Sequence, residues 1–329
     1  MEKSLFEYLR DKKRRLFIFL AISFFLLIPV LFMSILVGSS GILPISRWKT
    51  TDPIFELRIY RTITAFLSAS VLSLNGLILQ TILVNPLVDS SILGISSGAM
   101  LGTLLGYIVS MEIGMYVAPA LSFIFSLFAA GLIYGISKLG GFRILIIALS
   151  GVMISTMMTS ISYIILLMEP ALSRGGIAFV LGSLQFSDEK TVLLSLVSLV
   201  IIASYIYLRV GALRKLMIGE DLALSSGINV RNVRKESIVV SSISISLVTL
   251  AVGPIGFVGL IIPHVSRIIV GGDPGAVSTL SFLLGPLLLI SADVASRIAF
   301  MPSELPVGIA MSILGAPFFL FLLVRSMRR

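Results

Sequence analysis

The sequence predicts an all-α polytopic membrane protein with about ten transmembrane helices. Of its 329 residues, 57% are hydrophobic and only 12% are charged, whereas about a quarter of a typical soluble domain is charged. The mean hydropathy is +1.09. Many apolar runs reach the roughly 20 residues that a helix needs to cross a bilayer. Little chain is left for a soluble domain, so we expect one transmembrane domain over residues 1–329.

Ten apolar runs, taken in chain order, account for this architecture. Several contain internal Gly or Pro, which membrane helices tolerate where neighbouring protein satisfies the freed backbone groups. The predicted spans are 16–37, 60–84, 92–110, 114–137, 143–168, 191–209, 236–252, 255–271, 278–299 and 306–325.

The placement of the 25 Lys and Arg residues predicts the orientation of the chain. Most of them fall in alternate connections, on the side that carries the N-terminal segment 1–15, and an excess of basic residues marks the cytoplasmic side of a membrane protein. We therefore expect a multi-pass protein of the cell (plasma or inner) membrane with both termini in the cytoplasm. Segment 209–235 is then a cytoplasmic loop.

Segment 209–235 is a polar island between apolar runs, and its centre has the pattern of a short helix. Acidic residues suit the first turn of a helix, and a glycine suits its end. We predict a surface helix that another protein could bind; the alternative is an ordinary solvated loop. The predicted segment consists of Gly219, Glu220, Asp221, Leu222, Ala223, Leu224, Ser225, Ser226 and Gly227.

Three arginines lie at the predicted outer ends of spans. Arg58 and Arg61 share one helix face because they are three residues apart, and Arg297 ends span 278–299. Their guanidinium forks could bind carboxylates of an outer partner; simple anchoring at the membrane interface is the alternative. Asp293 stands four residues before Arg297, so these two side chains could also pair on one helix.

A stripe of small and polar residues follows one face of span 143–168. It consists of Gly151, Ser155, Thr159 and Ser162. Such a stripe either packs helices together or lines a wet path. His264, the only histidine, is either a hydrogen-bonded packing residue or a ligand, and its role stays open.

Several classes of site are excluded or disfavoured. With no cysteine and one histidine, the chain has no thiolate or multi-histidine metal site and no nucleophile–base constellation. We predict no catalytic and no metal residues. No G-x-x-x-x-G-K-[ST] segment is present, so any ATP would be bound by another chain. Nucleic acid is disfavoured as a partner because the basic residues flank spans.

A series of motifs runs in order through residues 55–325, and together they resemble the FecCD/BtuC family of ABC-transporter permeases, which import iron–siderophores, haem and cobalamin. The motifs begin with Leu57-Arg58 and Arg61-Thr62, continue through Asn75-Gly76, Gln80, Asn85-Pro86, Asp89 and Gly94, and then through Leu181-Gly182-Ser183 and Gly219–Gly227. They end with Gly253-Pro254-Ile255-Gly256, Pro263-His264, Ala292-Asp293, Arg297, Glu304-Leu305-Pro306 and Gly315-Ala316-Pro317.

The resemblance implies a BtuC-like type II importer: a homodimer of ten-helix subunits with the translocation path between them. It implies two cytoplasmic ABC ATPase subunits, which use ATP and Mg²⁺, and an extracytoplasmic substrate-binding protein. This chain would bind no cofactor. Gly219–Gly227 match the family's coupling helix, and Arg58, Arg61 and Arg297 match positions that face acidic residues of the binding protein. The stripe on span 143–168 fits the family's pathway helix.

The cargo expected from this resemblance is a metal chelate, with an iron–siderophore first, cobalamin second and haem third. A secondary transporter driven by an ion gradient is the competing class and needs no ATPase. An intramembrane enzyme is a more distant alternative and would require turnover by this chain alone.

Overall fold

The computed structural model describes residues 5–39, 41–49, 52–86, 88–91, 94–113, 117–140, 144–169 and 176–327. A small hairpin, β1 (Val37–Gly38) with β2 (Gly41–Ile42), follows the first helix, and a 3₁₀ turn covers Ile45–Arg47. The helices in these residues are α1 (Leu5–Leu36), α2 (Pro53–Ile82), α3 (Ile95–Ile113), α4 (Ala118–Leu139), α5 (Ile144–Met168), α6 (Glu189–Ile218), α7 (Glu220–Ser225), α8 (Val230–Val252), α9 (Val258–Val270), α10 (Pro274–Ile298) and α11 (Val307–Met327), with one further helical turn at 176–180.

The prediction of an all-helical membrane protein is confirmed, and each of the ten predicted spans contains a helix. Seven helices in the described residues are long and apolar enough to cross a membrane, namely α2, α4, α5, α6, α8, α10 and most of α1. The apolar part of α11 and the whole of α9 are shorter. The count of ten crossings therefore stays a prediction.

Several helices are longer than the apolar runs that predicted them. Helix α1 already includes the basic residues up to Arg15, and α6 continues past Arg209 to Ile218. The predicted loop 209–235 is therefore mostly helical, and only the stretch from Gly219 to Asn229 separates α6 from α8. Hydropathy marks the part of a helix that suits lipid, whereas the backbone hydrogen bonds of a helix continue into water.

Helix α2 lies at the centre of the bundle. Asp52 caps its N-terminus by accepting hydrogen bonds from the backbone N–H groups of Ile54 and Phe55, and Pro53 occupies the first turn, where its missing N–H costs nothing. From Ala65 onward almost every residue is buried. Its small polar side chains join it to neighbours: Ser68 bonds Ser195 of α6 at 3.0 Å.

The closest helix crossing brings Gly76 of α2 against Gly259 of α9. A Cβ placed on Gly76 would lie 1.9 Å from the Gly259 carbonyl oxygen, and one on Gly259 would lie 2.3 Å from Oδ1 of Asp89. The Gln80 amide donates a hydrogen bond to the same Gly259 carbonyl at 3.0 Å. Absence of side chains here lets two backbones touch, as is common between membrane helices.

We expect Gly76→Ala to lower the stability of the folded chain by about 1–3 kcal/mol, because the added methyl group overpacks a backbone contact. Gly131→Ala is the matched control, since a Cβ on this α4 glycine meets nothing within 4 Å. Thermal unfolding of the detergent-solubilised variants measures both effects. Equal unfolding temperatures for the two variants would contradict the crossing.

Candidate functional site

The predicted short helix of the polar island is present as α7. It starts after Gly219, and Gly227, at φ +79°, lies just beyond its last turn. The Gly227 N–H donates to the Leu224 carbonyl at 3.0 Å, and the Ile228 N–H donates to the Ala223 carbonyl at 3.1 Å. This pair of bonds is the Schellman motif that ends helices at a left-handed residue.

Helix α7 buries one residue against the subunit and exposes an apolar side chain on either side of it. Ala223 is fully buried, while Leu222 is 48% exposed and Leu224 is 53% exposed. Asp221 and Ser225 are exposed as well. A six-residue helix is too short to be stable by itself, so the buried contact of Ala223 holds α7 on the subunit and leaves two leucines outward.

One side chain ties α7 to the centre of the bundle. Arg234 of α8 binds both carboxylate oxygens of Glu220, at 2.8 and 3.2 Å, and its Nε–H donates to the Ile82 carbonyl at the end of α2, at 3.1 Å. In the sequence, Arg234 is one of several basic residues of segment 209–235. The opposite charges of Arg234 and Glu220 were the one signal of their pairing, and nothing in the sequence indicated the contact of Arg234 with α2.

The three outer arginines are buried, with exposures of 4% for Arg58, 3% for Arg61 and 1% for Arg297. Two of them converge on Asp293, which is fully buried. Arg61 donates to Asp293 at 2.8–3.2 Å through Nε and one terminal nitrogen. Arg297 reaches the same carboxylate from one turn further along α10. The predicted pairing of Asp293 with Arg297 is confirmed.

The remaining donors of this cluster form hydrogen bonds with backbone carbonyl groups at and just beyond the C-terminal end of α1. Arg58 donates to the carbonyls of Ile35, Leu36 and Gly41 at 2.7–3.0 Å. Arg297 donates to the Ser34 carbonyl at 2.8 Å. The last turn of α1 has no basic residue of its own, so these arginines supply the positive charge that a helix C-terminus favours.

Glu304, in the connection after α10, completes the cluster at its outer edge. It accepts hydrogen bonds from Arg61 and from the Ser39 hydroxyl, both at 2.6 Å. Burial favours its neutral form, but Arg61 and Ser39 outweigh burial and hold the pKa of Glu304 below its ordinary value. Its stabilising charge is therefore complete above the ordinary glutamate pKa and is lost as the pH falls through the lowered one.

This geometry changes the picture drawn from sequence for the three arginines. We expected their guanidinium groups to face an outer partner, but all three are engaged with groups of the same chain. Buried arginines need such compensation because an unpaired buried charge is costly. Docking through these side chains stays a prediction, and it requires the cluster to open.

The stripe on α5 lies on the packed side of that helix. Gly151 and Ser162 are buried, Ser155 and Thr159 are half-buried, and the Ser155 hydroxyl donates to the Ser91 carbonyl at 3.0 Å. This placement favours the packing alternative over a wet path. His264 is half-buried on α9 and has an interaction partner within the chain.

We expect Asp293→Asn to lower the stability of the folded chain by about 3–5 kcal/mol, because two buried guanidinium groups lose their shared counter-charge. Arg47→Gln, which removes one exposed ion pair with Asp52, should cost less than about 1 kcal/mol. Thermal unfolding in detergent compares them. A loss for Asp293→Asn no larger than for Arg47→Gln would contradict a structural role of the cluster.

Comparison with known proteins gives relatives over nearly the whole length of the chain. The Helicobacter pylori "Probable iron chelatin transport system permease protein" is 35% identical over 275 residues, covering 83% of this chain and 82% of the relative. The Vibrio cholerae "Vitamin B12 import system permease protein BtuC" is 31% identical and covers 94% and 93%. The Yersinia pestis "Hemin transport system permease protein HmuU" is 30% identical and covers 92% and 95%.

Solved structures share the fold. A transporter assigned to the metal-chelate type, in an inward-facing conformation, superposes with a TM-score of 0.76 over 93% of this chain and 98% of that chain, at 24% identity. PsaBC from Streptococcus pneumoniae, in complex with Fab, superposes with a TM-score of 0.64. The family model described as the FecCD transport family matches residues 22–325. The chain therefore belongs to the FecCD transport family.

Proposed function

We propose that this chain is the membrane-spanning permease subunit of an ATP-driven, binding-protein-dependent importer whose cargo is an iron–siderophore. The observation that carries the proposal is the family match over residues 22–325. The exposed leucines of α7 support it, because Gly219–Gly227 resemble the family's coupling helix. The H. pylori relative, named for an iron chelatin, favours iron chelates. Cobalamin and haem are the alternatives, since relatives named for them cover as much of the chain.

The cargo path in this proposal runs between two copies of the chain, along the exposed side of α5. That side carries Val152 and Met153, which are 56% and 70% exposed, together with the exposed Thr156 and Ser160. No charged residue stands between Ile144 and Met168. Side chains that bind the cargo only weakly suit a path for a bulky chelate, because the chelate can leave them as readily as it enters.

Coupling in this proposal begins at α7. ATP binding by two cytoplasmic ATPase subunits moves the exposed leucines of α7, and Arg234 conveys that movement to the end of α2. On the outer side, carboxylates of a substrate-binding protein compete with Glu304 and Asp293 for Arg61 and Arg297, and with backbone carbonyls for Arg58. The arginine cluster then opens as the binding protein docks. Both chain termini lie in the cytoplasm with α7.

An ion-coupled secondary transporter is the competing class, and reconstitution separates the two. The chain is purified from its native membrane, and any ATPase that accompanies it in stoichiometric amount is identified. Proteoliposomes are then tested for uptake of radiolabelled ferric siderophore, cobalamin and haem with a binding protein. Uptake that requires ATP and the ATPase supports the proposal. Uptake by this chain alone, driven by an ion gradient, would overturn it.

We expect Leu222→Glu to lower ATP-driven uptake at least about tenfold while the ATPase subunits keep hydrolysing ATP, because a charge replaces an apolar contact at the interface. Lys215→Glu is the control: it places the same carboxylate on the exposed end of α6, outside Gly219–Gly227. Uptake and phosphate release are measured in the same proteoliposomes. Unchanged coupled uptake in Leu222→Glu would count against α7.

A further inference from the structure

A cavity of about 230 Å³ lies between the start of α1 and the end of α9. Lys12 and Arg15 form its basic side, together with Asp11, which already has an interaction partner within the chain. Residues 268–271 at the end of α9 form the opposite, apolar side. The sites described above do not include this cavity.

Both basic side chains of the cavity lack an ion-pair partner within the described residues. Within the described part of the chain, neither Lys12 nor Arg15 forms a hydrogen bond or a salt bridge. Asp273 interacts electrostatically with Lys12 but is bonded to Arg214 at 2.6 Å, and Asp11 is engaged elsewhere in the chain. An anion in the cavity would meet Lys12 and Arg15, neither of which is in an ion pair within the described residues.

The cavity also lies at the boundary between the polar start of α1 and the apolar run of that helix. The apolar run of α1 starts at Leu16, directly after Arg15, and Leu16 and Ile269 of α9 both pack against the buried cluster that contains Val270. Phe19 and Ile22 follow Arg15 on the same helical face and are 37% and 45% exposed. Ile268, on the opposite side, is 64% exposed. A ligand with an anionic head and apolar chains would match this sequence of surfaces.

We propose that this cavity binds the headgroup phosphate of an anionic phospholipid, with the acyl chains lying along Phe19, Ile22 and Ile268. Basic pockets between membrane helices bind such headgroups, and two cations above an apolar wall complement a phosphodiester carrying acyl chains. The bound lipid joins α1 to the end of α9, two elements that otherwise meet through a few apolar side chains. The inference rests on the membrane location and is independent of the transported cargo.

Lipid binding to the purified, delipidated full-length chain tests this site by native mass spectrometry. Dioleoylphosphatidylglycerol should bind, and dioleoylphosphatidylcholine, which has no net charge, should bind much more weakly. Lys12→Gln/Arg15→Gln should weaken phosphatidylglycerol binding about 30-fold at low salt, since each basic residue near a membrane surface contributes about fivefold. Lys13→Gln/Arg14→Gln removes the same charge from the same helical turn, outside the cavity, and should change binding less than about threefold.

Three results would overturn the proposal. Equal losses in the two double variants would mean attraction by net charge alone, and equal binding of the two lipids would mean no phosphate recognition. Competition by inorganic phosphate at the lipid's own concentration would mean a site for a free anion. If Lys12→Gln/Arg15→Gln does not fold, Arg15→Gln decides the question: it should weaken phosphatidylglycerol binding about fivefold, and an unchanged affinity would refute the site.

Discussion

The contact between Gly76 and Gly259 sets the spacing between α2, the central helix, and α9. Because neither residue has a side chain, α2 and α9 meet through their backbones, and the neighbouring loops then close around them. Asp89 lies against Gly259, and its carboxylate accepts from the Ser90 N–H at 2.7 Å and from the Ser91 hydroxyl at 3.2 Å. Helix α2 also packs against α1, α6, α8 and α10, so a shift at this crossing would move a helix that much of the bundle shares.

The ion pairs at the two ends of the bundle differ in how deeply they are buried. At the predicted outer end, three arginines are buried and share Asp293, Glu304 and the carbonyls that end α1. At the other end, the ion pairs are more exposed: Arg209 with Glu236 and Arg214 with Asp273 each have an arginine that is about half exposed. Buried pairs resist separation because each charge would be left without a partner, whereas exposed pairs contribute little. The buried arginine cluster is therefore the more costly of the two sets of ion pairs to separate.

Local patterns predicted most of the fold, and contacts between distant segments account for what was missed. The stop at Gly227 and the pairing of Asp293 with Arg297 involve residues within one helix or turn, so spacing sufficed. Arg61 and Asp293 are separated by 232 positions, and nothing in either segment indicates the other. The arginines therefore resembled surface residues until the fold placed Asp293 beside them.

The start of α2 was missed for a different reason. Its first turns carry Glu56, Arg58 and Arg61, which lower the hydropathy of the helix without breaking it. The cap formed by Asp52 and Pro53 was the better signal, because it reports hydrogen bonding at a helix start and is independent of hydropathy. The face that α5 packs inward could not be read from its stripe, since small polar residues suit both a packed and a wet surface.

The bonds of Arg234 determine what kind of force can pass between α7 and α2. Packed apolar side chains resist compression, but they separate when pulled. Arg234 instead holds two oxygens of Glu220 and the Ile82 carbonyl with one planar guanidinium, and directional bonds of this type resist stretching too. Movement of α7 in either direction would therefore act on the end of α2 through these bonds. A partner on α7 could drive the bundle through a two-stroke cycle, with one stroke the reverse of the other.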